Sequence, residues 1–200
     1  MIMPNTPKEQ KVNYGLKNAY FATITEAEDG AFTYGTPIRL PGSVELTLEP
    51  RGDMIEFYAD DMLYFSAPNN QGYDGTFTVA NIPTAFATEC LGEVIDETDK
   101  VVTEVQGAKP KGFALLFEFD NDIKATRHVL YNCKASRPTV SSSTSTDSVE
   151  PGTSELSFVA SARPSDRNVK TKTTQGTPAA IYDAWYEKVY EKAVTPPSGS

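Results

Sequence analysis

"FYADDMLYFSAPNNQGYDGTFTV" (residues 57–79) reads as two strands around a turn, and its first half is apolar on both sides. Side chains alternate along a strand, so Phe57, Leu63 and Phe65 would point to one face and Tyr58, Met62 and Tyr64 to the other. The core of a single β-sandwich covers only one of them. Either the ribbon lies between its own sheet and a neighbouring helix, or another molecule supplies the second cover.

Upstream, "AYFATIT" (19–25) is rich in aromatic and β-branched residues and runs towards Asp29-Gly30, a tight-turn signal that makes a first hairpin. "SVELTLEP" (43–50) sets Val44, Leu46 and Leu48 against Ser43, Glu45, Thr47 and Glu49, the pattern of a half-exposed strand. "PRGD" (50–53) is expected to turn the chain into the ribbon. Arg51-Gly52-Asp53 also spells an adhesion tripeptide, but a β-turn between strands accounts for it.

Downstream, Pro83 and Thr84 open a short helix that carries Phe86, Cys90 and Leu91 and stops near Gly92. "VIDETDKVVTEV" (94–105) is an acidic turn between apolar ends. "GFALLFEFDNDIKATRHVLYNCKA" (112–135) is a strong hairpin with Phe113, Leu115, Phe117 and Phe119 in one phase, the deepest core segment, and Asp120-Asn121-Asp122 at its bend. "ELSFVASARP" (155–164) resumes alternation through Leu156, Phe158 and Ala160, and "NVKTKTT" adds a strand. "TPAAIYDAWYEKVYEK" (177–192) predicts a C-terminal helix with Thr177 as N-cap, Pro178 at its first position, and Ile181, Trp185 and Val189 on one face.

Eight to ten short strands without βαβ alternation predict a mainly β fold: an antiparallel sandwich or barrel with a short central helix and a C-terminal helix. One domain is expected over 14–194. Residues 1–13 read as a flexible arm, 136–154 as a polar loop crowded with Ser, Thr and Pro, and 195–200 as a loose tail.

With 27 acidic against 18 basic residues, the net charge of −9 argues against wrapping nucleic acid and against anionic membranes. "MIMPNTPKEQKVN" does not open as a signal peptide, which predicts a cytosolic product. The longest apolar run, "FALLF" (113–117), is far too short to cross a bilayer as a helix.

Chemistry has few footholds. Cys90 and Cys133 are expected as free, buried thiols, because a chain of this length does not need a staple. The one histidine, His128, lies mid-strand and reads as structural. The acids at Asp60-Asp61, at Glu93, Asp96, Glu97 and Asp99, and at Asp120 and Asp122 raise a glycosidase-type pair or a calcium site. None has the calcium-loop spacing, and solvated loop charges explain them. There is no zinc spacing, phosphate loop or nucleophile motif, so no catalytic residue, metal ligand or cofactor is assigned.

Three classes of function remain. A receptor- or carbohydrate-binding β-sandwich would use loop aromatics such as Tyr73, and a hydrolase would use paired acids. An assembly subunit would use the surplus strand surface, which is an aggregation hazard unless other copies cover it in a closed ring. That reading makes Tyr58, Met62, Leu63 and Tyr64, with Thr139 and Val140 in the polar loop, the candidate subunit contacts.

The chain resembles the major tail, or tail tube, proteins of phages with long non-contractile tails, particularly those of Gram-positive hosts. The resemblance is carried by "VNYGLKNAYFATIT", "YGTPIRLPGSVELTLEP" followed by "FYADD", "GYDGTFTV" leading into a short helix, "GFALLFEF", "RHVLYNCKASRP" and "YDAWYEKVY", over about residues 12–192. It implies a β-sandwich subunit with a helix at its side, closing into hexameric rings that stack into a hollow tube, each subunit adding strands to an inner barrel. It also implies a non-enzymatic virion protein, assembled in the host cytoplasm around a tape measure protein, joined to a terminator and a baseplate, and passing DNA into the host. The inner tube of contractile tails and of type VI secretion systems shares the expected fold. An acidic lumen would let phosphates slide rather than stick.

Overall fold

The computed structural model describes residues 10–28, 30–139 and 152–192. In chain order its strands are β1 (Asn13–Glu26), β2 (Phe32–Tyr34), β3 (Ile38–Arg39), β4 (Ser43–Pro50), β5 (Ile55–Ala59), β6 (Met62–Ala67), β7 (Tyr73–Val79), β8 (Val94–Ile95), β9 (Val102–Thr103), β10 (Phe113–Asn121), β11 (Thr126–Ala135), β12 (Ser154–Ser161) and β13 (Lys170–Lys172). Two short helices, α1 (Thr84–Phe86) and α2 (Ala179–Asp183), complete the described residues.

Nine strands form one antiparallel sheet in the order β2-β1-β10-β11-β12-β7-β4, with β3 also on β1 and β13 also on β11. The β10–β11 hairpin lies near its middle, with Phe117 opposite His128 and Phe119 opposite Thr126. Both faces of β10 are covered, which explains its unbroken apolar run. Phe113, Leu115 and Phe117 enter the main core with Phe21, Phe77, Phe86, Leu156 and Phe158. Ala114 and Leu116 face the other way, into a second cluster with Val129, Tyr131, Trp185 and Val189.

Phe86 is the keystone of the main core: it meets Phe21 and Phe113 edge-on at 5.0 and 5.1 Å. It is carried by α1, which widens into a π turn over Ala87–Leu91 and ends at Gly92, where φ of +83° suits glycine. Gly75 is required by contact instead. The Phe158 ring lies across it, and an added Cβ would come within 2.2 Å of Phe158 Cζ.

The C-terminal segment departs from the expected helix. It is α-helical only over Ala179–Asp183, tightens to 3-10 geometry over Ala184–Tyr186, and then leaves the helix. Pro178 rather than Thr177 occupies the N-cap, and the Thr177 hydroxyl instead accepts a hydrogen bond from the Thr174 N–H at 2.8 Å. Ile181 is exposed, whereas Trp185 and Val189 are buried. Tertiary bonds set this path. Trp185 Nε1 donates to the His128 carbonyl at 3.3 Å, Tyr182 Oη to the Ala125 carbonyl at 3.0 Å, and Tyr186 Oη to Glu118 at 3.1 Å. The segment is a strap laid over the sheet.

Arg51-Gly52-Asp53 does not form the expected turn. The chain runs on from β4 into β5 without reversing, and the Arg51 N–H donates to the Gly72 carbonyl at 2.9 Å across the base of the ribbon. Val44 also leaves the expected pattern: a bulge between Ser43 and Glu45 turns it out to solvent.

Candidate assembly surface

The ribbon is a two-stranded sheet of its own, β5 with β6, standing beyond the end of the β4–β7 pair. The ladder is interrupted between the two pairs for local reasons. Pro50 and Pro68 supply no N–H, and Gly52 and Gly72 have φ of +102° and +97°. Their missing side chains are needed: a Cβ would fall 1.9 Å from the Asn69 carbonyl oxygen and 2.0 Å from that of Ala160. The reversal comes at Asp60-Asp61, where φ of +52° and +61° make a two-residue turn matched to the twist of the strands.

Neither face of the ribbon is buried, which corrects the expectation that the core covers one of them. Tyr64 is 72% exposed, Tyr58 and Met62 62%, Phe57 57% and Leu63 49%, and Ile55 and Phe65 are likewise open. The reading that places the ribbon between its own sheet and the small helix is overturned. Strict alternation also fails. The register pairs Phe57 with Phe65 but Tyr58 with Leu63, so Tyr64 is the extra residue of a bulge, and its ring meets Phe57 edge-on at 6.4 Å.

Electrostatics add a second feature. The ribbon carries Glu56, Asp60 and Asp61, and no lysine or arginine occurs between Gly52 and Asp99. Tyr58 Oη donates to Glu56 at 2.9 Å. A surface that is apolar on both sides and acidic at its tip suits a partner that is apolar with a basic rim.

Thr139 is exposed and helps wall a cavity of about 310 Å³ with Ile82, Leu91 and Val102, away from the ribbon residues of the candidate set. Val140 lies outside the described residues. The sequence reading missed Ile55, Phe57 and Phe65 as surface groups, and also the β8–β9 hairpin, where Val94, Val101, Val102 and Val105 are exposed. The signal was available in "VIDETDKVVTEV", whose apolar ends are too short to reach a core.

The other candidates lie in packed surroundings. His128 is stacked on Phe117 at 5.0 Å with Phe119 at 5.2 Å, and burial pulls its pKa down to about 4. Cys90 and Cys133 are buried and unpaired. Burial pushes the Cys90 thiol up to about 12 and the Cys133 thiol up as well, so both stay protonated. Tyr73 is partly buried at the start of β7 with Lys170 Nζ 4.4 Å above its ring, rather than on an open loop. Among the described residues no group of His, Cys, Asp and Glu could hold a metal ion, and no helix is long and apolar enough to cross a membrane.

An antiparallel β domain with this much apolar surface outside its core belongs to the class of proteins that bind other chains. A family model described as phage tail tube protein matches residues 1–196, and the chain belongs to that family. Its role is structural, as a component of the tail tube. Similar solved structures include the cap that terminates the tube of the anti-feeding prophage (15% identity over 86% of this chain and 99% of that one, TM-score 0.45). Two more come from an extracellular contractile injection system called PVC, both in the extended state. One is its sheath/tube terminator (13% identity, 78% of this chain, 94% of that one, TM-score 0.44), the other its sheath–tube complex (12%, 78%, 88%, 0.44). No curated protein matches the chain.

Proposed function

We propose that the β5–β6 ribbon is the contact through which copies of this chain close into rings and stack into the tail tube, with Tyr58, Met62, Leu63 and Tyr64 as its central residues. The observation that carries this reading is the exposure of both ribbon faces. Seven large side chains offer several hundred Å² of apolar surface, of the order of the ~800 Å² that one partner brings to a standard interface. Ile55, Phe57 and Phe65 belong to the same contact, and Thr139 and Val140 form a second one at the edge of the polar loop.

In this reading residues 14–194 act as one domain. The arm 1–13 and the loop 136–154, which lie largely outside the described residues, are the segments suited to contacts between stacked rings, and the tail 195–200 lies wholly outside them. Six subunits make a ring, and a charge of −9 each makes it strongly negative, so DNA passes without sequence-specific binding. The tube forms around a tape measure protein and meets a terminator and a baseplate, all within the host cytoplasm before release as part of the virion. The chain has no turnover of its own and needs no cofactor.

The test is Tyr64→Asp together with Leu63→Asp. Both are exposed, so unfolding midpoints should stay within about 0.5 kcal/mol of wild type, while sedimentation should show assembly lost. Undiminished assembly would remove the ribbon from the interface.

A further inference from the structure

A ribbon that docks on a copy of itself makes a closed pair and stops growth, whereas a ribbon that docks on a different surface of the next copy propagates. Self-docking is also disfavoured by charge. It would set Glu56, Asp60 and Asp61 against their own equivalents with no basic residue on the ribbon to offset them. The complement must therefore be another apolar surface of the same chain, with basic residues beside it.

Two described surfaces carry apolar and basic groups together: a pocket at the C-terminal strap with Lys188 and Lys192, where Ile181 is the one exposed large apolar side chain, and a groove with more exposed apolar surface. The groove runs beside α1 and the β8–β9 hairpin in two lobes of about 310 and 460 Å³ that share Leu91. The first is walled by Ile82, Ala87 and Val102, the second by Val105, Ala108 and Pro110. Each lobe is within the size range of pockets that enclose a small ligand. Val102 is 39% exposed and Val105 50%, so part of their apolar surface is uncovered in the single chain. Arg137 lines the second lobe, and exposed Lys109 and Lys111 flank Pro110. Acids are present at this end too: Glu93 lines the first lobe and Glu104 the second, Arg137 is paired with Glu104, and Lys111 lies 3.9 Å from Glu89, so the tip would have to share or displace these partners. Three further acids, Asp96, Glu97 and Asp99, are at the opposite, turn end of the hairpin, where Asp96 accepts hydrogen bonds from the N–H groups of Thr98 and Asp99 at 2.8 Å. Another exposed apolar group, Val12, Tyr14 and Ile123 near the β10–β11 bend, is smaller and stands beside Asp120 and Asp122.

We propose that the ribbon of one subunit seats in this two-lobed groove of the next, its aromatic side chains over Leu91, Val102 and Val105 and its Asp60-Asp61 tip towards Lys109, Lys111 and Arg137. This rests on the tube reading above and adds the identity of the receiving surface. The contact is head-to-tail and repeats from copy to copy.

The test uses the full chain with Tyr64→Cys and Val105→Cys, assembled and then treated with a short bis-maleimide. Cys90 and Cys133 are wholly buried and give little background. The expected result is a ladder of products at multiples of the chain mass, absent from either single variant and from Tyr64→Cys with Ile123→Cys. Tubes that give no ladder, or that link through position 123 instead, overturn the docking while leaving the tube reading intact. A wild-type chain that stays a single subunit at every concentration overturns both. As a second reading, Lys109→Glu with Lys111→Glu should raise the concentration needed for assembly at least tenfold, and adding Asp60→Lys and Asp61→Lys should restore it. An unchanged threshold in the first variant would contradict the assigned orientation.

Discussion

His128 is held neutral by its surroundings: two phenylalanine rings cover it, Lys170 and Lys172 lie close enough to oppose a positive charge, and its Nδ1 is buried without a partner. Its pKa falls to about 4 in the folded chain against about 6.5 when unfolded. Between those values the unfolded chain binds the extra proton. Stability should therefore be full above pH 6.5 and decline towards pH 4, by on the order of 3 kcal/mol from this group. Urea unfolding across that range, compared with His128→Phe, should show a shallower slope in the variant, and equal slopes would contradict the assignment. Gly75 makes a steric counterpart. Gly75→Ala drives a methyl into the Phe158 ring and should cost about 2 kcal/mol or more, seen as a lowered urea midpoint. Of the two roles the sequence hinted only at that of His128. A mid-strand histidine reads as structural from its lack of nucleophile motifs, but the ring stack and the glycine contact join residues that lie apart in the sequence.

At the scale of elements, the C-terminal strap is fixed by two arginines, one lying against its aromatic rings and the other reaching its Glu191 from beside Tyr131. Arg127 reaches the Tyr182 carbonyl, pairs with Glu118 at 3.1 Å, and stacks over the Tyr182 ring at 3.8 Å. Arg163 pairs with Asp166 and reaches Glu191 at 2.7 Å while lying 4.4 Å over the Tyr131 ring. The hydrogen-bonded Asp166 carboxylate holds the Arg163 guanidinium above its usual range. Glu118 is buried and also accepts from Asn18 at 2.6 Å and from Tyr186 at 3.1 Å. Glu118→Ala would leave the partly buried Arg127 guanidinium without its carboxylate partner, a loss of about 2 kcal/mol. Trp185 is the only tryptophan, so its emission should shift to the red at lower urea than the loss of strand circular dichroism. Coincident transitions shifted by less than 1 kcal/mol would show the network to be dispensable. The sequence located this element but misjudged its form. Spacing at 181, 185 and 189 suggested a longer helix, whereas bonds to β10 and β11 bend the chain after Tyr186. Strand alternation located β12, whose faces have a definite inside and outside, while β10 and β11 were legible as apolar, aromatic runs buried on both faces. It failed at Val44 and in the ribbon, where bulges break the period of two.

At the scale of the whole molecule, the domain is built so that its core is complete and its largest aromatic surface is not part of it. The main core closes on Phe86 and the outer face of β10 closes under the strap, while the ribbon and the β8–β9 hairpin keep large apolar side chains exposed among the described residues. The excess of strand surface was visible in "FYADDMLYF", since two apolar faces exceed what one sandwich can bury. That neither face is covered was not visible, because it depends on Pro50, Gly52, Pro68 and Gly72 lifting the ribbon away from the sheet. The family places the chain in the tail tube, and the ribbon gives a physical means of building one. Electron microscopy of the purified full chain over a rising concentration series tests this most directly. The account predicts rings and hollow tubes for wild type and single subunits for the Leu63→Asp, Tyr64→Asp variant. Wild-type chains that remain single subunits at every concentration, or variant chains that form the same tubes, would contradict it.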